Sequence, residues 1–153
     1  MSIPTPSELS PHFSHLIGRR VAFTKAVSSA PSKAQKVYGI YTSFPDEALV
    51  VVKADLPLLG SFAGSLMGLP DGEVRKRLLA SEVDEFLRDA TYEVMNVAAP
   101  VIGHGGRAVL KKVAMQLADI DDKAQDVLKK PAHSLEFDVA VADYQGGRFT
   151  VLF

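Results

Sequence analysis

The C-terminal end of the chain constrains the fold most strongly, because its apolar side chains recur at every second position. The segment Ser134 to Ala142 alternates apolar with polar residues, and Phe149 to Phe153 again places apolar residues at every second position. A spacing of two puts such side chains on one face of an extended strand. Between the segments, Gln145-Gly146-Gly147 is typical of a tight turn. The pattern predicts a terminal β-hairpin in the main sheet, with apolar faces that other elements must cover.

Further segments favour strands. Arg20 to Val27 alternates, and so does Lys36 to Phe44, while Ala48 to Lys53 reads as a more buried strand. A turn at Pro45-Asp46-Glu47 joins the last two into a second predicted hairpin. Val109 to Leu117 fits both a strand and a helix, and we favour a strand because glycines precede it and a β-branched residue begins it.

Helix signals separate the strands. Ser10 and Pro11 are typical of a helix start, and Gly18 of its end. Leu56 to Gly68 predicts a helix of small apolar residues packed closely against its neighbours, and Asp119 to Lys130 one with acids first and lysines last. Together these elements predict an α+β fold, in which long helices pack on one face of a mainly antiparallel sheet.

Composition sets the class of protein. The chain has 153 residues, 47% of them hydrophobic, a net charge of −1 and no cysteine. We expect a single domain over residues 1–153, with residues 1–9 as a flexible tail. A near-neutral chain has no global field for nucleic acid or anionic lipid, so neither is an expected partner.

Cofactors and compartment follow from absences in the sequence. Without cysteine, disulfides, thiolate chemistry and cysteine zinc sites are excluded. His12 and His15 lie three apart with no third ligand suggested, and we interpret them as surface histidines. There is no signal-peptide pattern, and the longest apolar stretch is too short and too glycine-rich to span a bilayer, so the cytoplasm is the default location.

The segment Glu82 to Ala99 predicts one continuous amphipathic helix. At 100° per residue, its apolar side chains form a stripe about 120° wide. Asp89, Glu93 and Asn96 fall outside the stripe, within about 60° of one another. A carboxylate and a carboxamide are therefore expected side by side on a rigid helix, facing solvent or a partner. The stripe contains Val83, Phe86, Leu87, Ala90, Val94, Val97, Ala98 and Val101.

This pair suits the hydrolysis of an acyl phosphate. That reaction needs a water held in line with the leaving oxygen, which the amide of Asn96 can orient without titrating. Glu93 can pair with a cationic side chain of the phosphorylated partner. Tyr92 and Met95 also fall outside the stripe, which predicts a partner-binding surface beside the pair. The alternative is that Glu93 and Asn96 are ordinary solvated residues.

Two stretches of the chain have similar sequences, which forms a weak internal repeat. Leu16 to Val21 is similar to the stretch around Val101-Ile102-Gly103 and Arg107, and in both places a helix ends at glycine before a strand. Superposing Gly18 on Gly103 puts Glu8 at the place of Glu93 and Pro11 at the place of Asn96. If the chain is a duplication, only the second copy carries the carboxylate–amide pair.

Asp89-x3-Glu93-x2-Asn96, within Leu87 to Val97, resembles the signature helix of the CheC, CheX and FliY phosphatases of bacterial chemotaxis. That pattern is Asp or Ser, three residues, Glu, two residues and Asn. The order of elements is similar as well: a strand pair, a small-residue helix, a turn, the signature helix, and strands to the end. The single motif is more similar to CheX than to CheC, which carries two.

The resemblance implies an activity and a partner. The substrate would be the aspartyl phosphate of a response-regulator receiver such as CheY. Asn96 would orient the water, Glu93 would pair with a receiver lysine, and Asp89 would support them. Magnesium would belong to the receiver, with no cofactor of the chain's own. A CheX-like chain would also form a homodimer through its sheet.

One position departs from the pattern. The family usually has glycine four residues after the Asn, where this chain has Pro100. Proline has no N–H to bond the Asn96 carbonyl, so we expect the helix to kink or end there and to displace the amide. The alternative function is therefore a non-catalytic docking or scaffold domain of the same fold, binding a signalling or flagellar partner through Tyr92 and Met95.

Overall fold

Helices and strands follow one another along the chain in small groups, three strands and then three helices in its middle. The computed structural model describes residues 4–27, 32–79, 85–103 and 107–153. The elements are α1 (Pro6–Ile17), β1 (Val21–Lys25), β2 (Lys36–Phe44), β3 (Ala48–Asp55), α2 (Leu56–Met67), α3 (Asp71–Leu78), α4 (Glu85–Ile102), β4 (Arg107–Ala114), α5 (Asp122–Lys129), β5 (Ser134–Val141) and β6 (Gly147–Leu152).

The strands form one six-stranded sheet in the order β1-β5-β6-β3-β2-β4. Every neighbouring pair is antiparallel, which confirms the predicted fold class. The two hairpins, β2–β3 and β5–β6, meet at the centre through β3 and β6. Phe153 extends the terminal hairpin, because its N–H and C=O bond those of His133 at 3.1 and 2.8 Å. The predicted terminal hairpin and the strand at β4 are both confirmed.

The main core lies between one sheet face and helices α1, α2 and α4. Its aromatic centre is Phe13 stacked on Phe62, with ring centroids 4.9 Å apart, and Phe23 and Phe149 pack beside them. The short helix α5 covers a second apolar patch on the opposite face, formed by β2, β3, β4 and β6. The long helices therefore share one face, as expected, and among the described helices the short α5 lies on the other.

The first helix begins at Pro6 and not at Ser10. Thr5 precedes it, and the Thr5 hydroxyl donates to Oε1 of Glu8 at 3.0 Å, which ties the first turn together. Leu9 is fully buried in the main core. The prediction of a flexible tail is therefore wrong from Pro6 onward, because burial of Leu9 fixes this turn, while residues 1–3 lie outside the described part of the chain.

The fifth helix begins at Asp122, three residues after the predicted start. Its cap is Asp121, whose Oδ1 accepts the backbone N–H of Ala124 at 2.9 Å. A 3₁₀ turn at Leu117–Asp119 occupies the preceding residues. An acidic run contains several possible caps, and the sequence did not distinguish them.

The two halves of the chain are related by an approximate two-fold pattern. Exchanging β1 with β4, β2 with β5 and β3 with β6 reverses the strand order onto itself. The helices agree as well: Ser7, Glu8, Pro11 and His15 are exposed on α1, and Tyr92, Glu93, Asn96 and Pro100 are exposed on α4. The weak internal repeat in the sequence thus corresponds to matching helix–strand units at the two edges of the sheet.

The terminal strand is expected to be indispensable. Deleting Phe149 to Phe153 removes most of β6 from the centre of the sheet, together with Phe149, Val151 and Leu152 of the core. The deletion should therefore yield insoluble or unfolded protein, which soluble yield and circular dichroism would measure. Normal stability of the truncated chain would contradict the assigned topology.

A point substitution gives a graded test of the same strand. Phe149→Ala should lower the free energy of unfolding by about 3–5 kcal/mol, because the side chain is fully enclosed. The control is Leu117→Ala at a half-exposed side chain, which should cost less than about 1 kcal/mol. Urea denaturation of both variants measures the difference, and equal losses would show that Phe149 does not lie in the core.

Candidate functional site

Helix α4 presents the candidate site. It runs over Glu85–Ile102, which confirms the predicted continuous helix over the described residues, whereas Glu82 to Asp84 lie outside them. The helix packs against α1, α2 and strand β4 and leads directly toward that edge strand. One side is therefore held by the core, and the other faces outward.

Asp89, Glu93 and Asn96 are all exposed, as predicted. Residues three and four apart on a helix have Cβ atoms about 5–6 Å apart, so the carboxylate and the amide are neighbours. Among the residues that the structure describes, none of the three pairs with another side chain in an ion pair or side-chain hydrogen bond. Their polar atoms are available to a second molecule.

The exposed face of α4 also carries a ladder of carboxylates. Glu85, Asp89 and Glu93 follow one another at four-residue steps, and all are exposed. Like charges at this spacing cost a helix about 0.2–0.5 kcal/mol per pair. Exposed Arg88 lies about 100° around the helix from Asp89 and forms no ion pair with a described residue. The ladder is thus uncompensated within the described chain and would be relieved by a cation from a partner.

The buried face of α4 is rotated relative to the predicted stripe. Its most buried residues span an arc of about 140° that is centred near Thr91, roughly 80° from the centre of the predicted stripe. Ala90, Val97 and Val101 are only half-buried, and Val83 and the side chains of Phe86 and Leu87 lie outside what the structure describes. The fully buried residues are Thr91, Val94, Met95, Ala98, Ala99 and Ile102.

This rotation corrects one predicted site residue. Met95 is only 1% exposed and packs in the main core, so it is not part of an exposed partner-binding surface. Tyr92, in contrast, is 48% exposed and lies next to Glu93. The physical reason is that Gly39 of β2 has no side chain. A Cβ there would lie 3.1 Å from the Met95 sulfur, so its absence makes room for Met95.

Tyr41 ties the backbone of α4 to strand β2 through a hydrogen bond. Its hydroxyl donates to the Met95 carbonyl at 2.6 Å, one residue before Asn96. Burial raises the pKa of Tyr41, so the phenol remains protonated and able to donate. The sequence analysis did not identify this residue; Gly39 and Tyr41 on one strand face were the available signal.

His12 contacts the same stretch of α4 from the side. Its Nε2 lies 2.8 Å from the Val97 carbonyl, and since a carbonyl can only accept, Nε2 carries the hydrogen. His12 is half-buried, whereas His15 is exposed. His12 is therefore less exposed than the sequence predicted, because α4 covers part of its side chain.

Pro100 does not end the helix. The helix continues to Ile102, with Pro100 on its exposed side and Ala99 and Ile102 in the core. We expected the helix to kink or to end at Pro100, and of these two outcomes the end is wrong, since packing of the last turn compensates for the missing bond to the Asn96 carbonyl. The Asn96 side chain stays on the exposed face together with Glu93.

The equivalent surface of α1 cannot form the same pair. Glu8, the counterpart of Glu93, accepts the hydrogen bond of Thr5 at the start of its helix. Pro11 stands in the place of Asn96 and offers no side-chain polar atom. The carboxylate–amide pair is therefore present on α4 and absent from α1.

A second concavity opens elsewhere, beside β1, β5 and β6. It has a volume of about 410 Å³, and its charged lining residues are Asp55, Asp138 and Arg148. Asp55 pairs with Lys36 and accepts the Arg148 backbone N–H at 2.8 Å, while the Arg148 guanidinium bonds Asp138 at 3.2 Å. These charged groups are paired with one another or with Lys36. They therefore stabilise the sheet and are not left available for a ligand.

Within the ranges that the structure describes, neither a side-chain metal cluster nor a membrane-spanning helix is present. No cluster of three or more His, Asp or Glu residues there could hold a metal ion. Within the same ranges, no helix has the length and apolar character needed to cross a membrane.

Comparison with known proteins gives structural neighbours only. No protein-family model matches the sequence, and no curated protein matches it. FliY of Thermotoga maritima is similar with a TM-score of 0.57 at 22% identity, covering 94% of this chain and 81% of that one. A chain of the FliG–FliM complex from H. pylori gives a TM-score of 0.62 at 10% identity, covering 98% of this chain and 86% of that one.

A chain of the CheX–CheY–BeF3–Mg complex from Borrelia burgdorferi aligns over 97% of both chains at 11% identity, with a TM-score of 0.41. At such identities the likeness establishes a fold and not an activity. The antiparallel sheet, its helices and the exposed signature on α4 agree with that fold. The chain therefore has a CheC/CheX/FliY-like fold, which the FliM middle domain shares.

Proposed function

We propose that this protein hydrolyses the aspartyl phosphate of a response-regulator receiver domain. The observation that carries the proposal is the exposure of Glu93 and Asn96 on successive turns of α4, in the spacing of the chemotaxis phosphatase signature. The fold supports the proposal, because it resembles that of FliY.

Asn96 is the proposed catalytic residue. Its amide donates to and accepts from one water, which holds the water in line with the bond between phosphorus and the aspartyl oxygen. The water oxygen bonds phosphorus, the bond to the aspartyl oxygen breaks, and inorganic phosphate and a free aspartate leave. The water's proton passes to the phosphate, so Asn96 itself neither gains nor loses a proton.

Glu93 is the proposed docking residue. Its carboxylate pairs with a lysine of the receiver and sets the register in which Asn96 reaches the phosphoryl group. Asp89, one turn earlier, adds negative charge to the same contact, and half-exposed Tyr92 supplies apolar area beside it. The receiver brings its own magnesium, and a receiver partner places the complex in the cytoplasm.

A homodimer through the sheet stays a prediction. Helix α5 occupies the part of the outer sheet face over β2, β3, β4 and the end of β6. The part over β1 and β5 is open and polar, with Glu136, Asp138 and Arg148 joined in ion pairs. Pairing of two copies across this face would rest on polar contacts.

Asn96→Ala should return the decay of receiver phosphate to its unassisted rate, because no other group would orient the water. Binding of the receiver should remain. Receivers encoded in the same genome are loaded with acetyl phosphate, and the lifetime of the phosphate is measured with and without each variant. A variant that keeps the wild-type rate would contradict the role of Asn96.

Glu93→Ala should instead weaken binding of the phosphorylated receiver by about 2–5 kcal/mol, as expected for a desolvated charged contact. The matched control is Glu8→Ala, which removes the counterpart glutamate from the equivalent exposed place on α1. The control should bind the receiver normally, as measured by calorimetry. Equal weakening by both substitutions would show that α4 is not the docking helix.

One result would replace the proposal with the alternative. If every receiver decays at its unassisted rate with wild-type protein present, while one of them binds α4, the chain is a docking or scaffold domain of this fold.

A further inference from the structure

We propose that His12 and Tyr41 are positioning residues for Asn96. They hold its backbone in place where Pro100 leaves the Asn96 carbonyl without its helical hydrogen bond. This inference deepens the proposed function and rests on it for its kinetic consequences. Its structural content stands independently of any activity.

The missing hydrogen bond follows from the chemistry of proline. In a regular helix, the N–H of residue 100 would bond the carbonyl of Asn96, and Pro100 has none. The proline ring also crowds that carbonyl and loosens the neighbouring turn. The turn that carries the proposed catalytic amide thus lacks one of the backbone hydrogen bonds of a regular helix.

Two side chains from other elements bond the carbonyls on either side of this point. Tyr41 of β2 donates to Met95 from below at 2.6 Å, and His12 of α1 donates to Val97 from the side at 2.8 Å. The carbonyls before and after Asn96 are therefore tied to the sheet and to the neighbouring helix. Fixing both neighbours leaves the Asn96 backbone little freedom to rotate.

The packing beneath supports the same role. Met95 fills the space over Gly39, so the helix is held against sliding as well as rotation. With Met95 directed inward, the 100° step to the next residue directs Asn96 outward. An error of one ångström in such a water-positioning group costs about a hundredfold in rate.

Kinetics separate positioning from docking. His12→Leu and Tyr41→Phe should each lower kcat for receiver dephosphorylation roughly tenfold to a hundredfold, with KM for the phosphorylated receiver unchanged. His12→Gln should restore most of kcat, because its amide nitrogen can reach the place of Nε2. The control is His15→Leu on the exposed side of the same helix, which should keep the wild-type kcat.

A double-mutant cycle tests the link to the proline. Pro100→Ala restores an N–H for the Asn96 carbonyl, so the loss caused by His12→Leu should shrink strongly in that background. An equal loss of kcat in both backgrounds would overturn the proposal that His12 compensates for the hydrogen bond that Pro100 cannot donate.

Nuclear magnetic resonance decides the inference even if no receiver is a substrate. The Asn96 side-chain amide resonance should shift or broaden in His12→Leu and in Tyr41→Phe, and return in His12→Gln and in the His12→Leu/Pro100→Ala double variant. His12 itself should show the tautomer with hydrogen on Nε2. Unchanged Asn96 resonances in both single variants would overturn the inference, whereas a receiver assay that fails with wild-type protein would overturn only the proposed function.

Discussion

The seating of α4 on strand β2 is the contact on which the site depends. Met95 occupies the space that Gly39 leaves open, and the buried hydroxyl of Tyr41 ties the Met95 carbonyl to the sheet. An unpaired hydroxyl in this core would be costly, so the bond fixes one height and one rotation of the helix. The exposure of Glu93 and Asn96 is a consequence of that rotation. A helix turned by a third of a circle would bury the pair.

The two-fold pattern of the chain shows how one half acquires a site that the other lacks. Both α1 and α4 expose the same positions to solvent, and both lead to an edge strand of the sheet. On α1 the glutamate lies in the first turn and accepts the Thr5 hydroxyl, and a proline replaces the amide. On α4 the glutamate lies in mid-helix and keeps its carboxylate unpaired among the described residues. The first helix instead contributes His12, which bonds the second helix beside Asn96.

Local patterns predicted most of the fold. The alternation from Ser134 to Phe153 predicted the terminal hairpin, because a two-residue period needs no knowledge of the partners. The exposure of Asp89, Glu93 and Asn96 followed from a helical period, although the buried arc lies roughly 80° from the predicted stripe. The stripe omitted Met95 because the space it fills is created by Gly39, a residue more than fifty positions away in the sequence.

The remaining differences have the same physical origin. Burial of Leu9 extends α1 toward the N-terminus, and packing of Ile102 carries α4 past Pro100. The contact of His12 joins two helices that are distant in the chain. Each of these is a tertiary interaction that overrides a local signal, so residue spacing alone could not reveal it.

We propose that the exposed face of α4 binds the phosphorylated receiver. The most direct test of this proposal is a titration of the isotopically labelled protein with a receiver held in its active form by beryllofluoride and magnesium, followed by amide resonances. We expect the largest shifts on Asp89, Tyr92, Glu93 and Asn96, and we expect them to disappear when the beryllofluoride is omitted. Shifts confined to α5 or to the open part of the sheet, with α4 unaffected, would contradict the proposal.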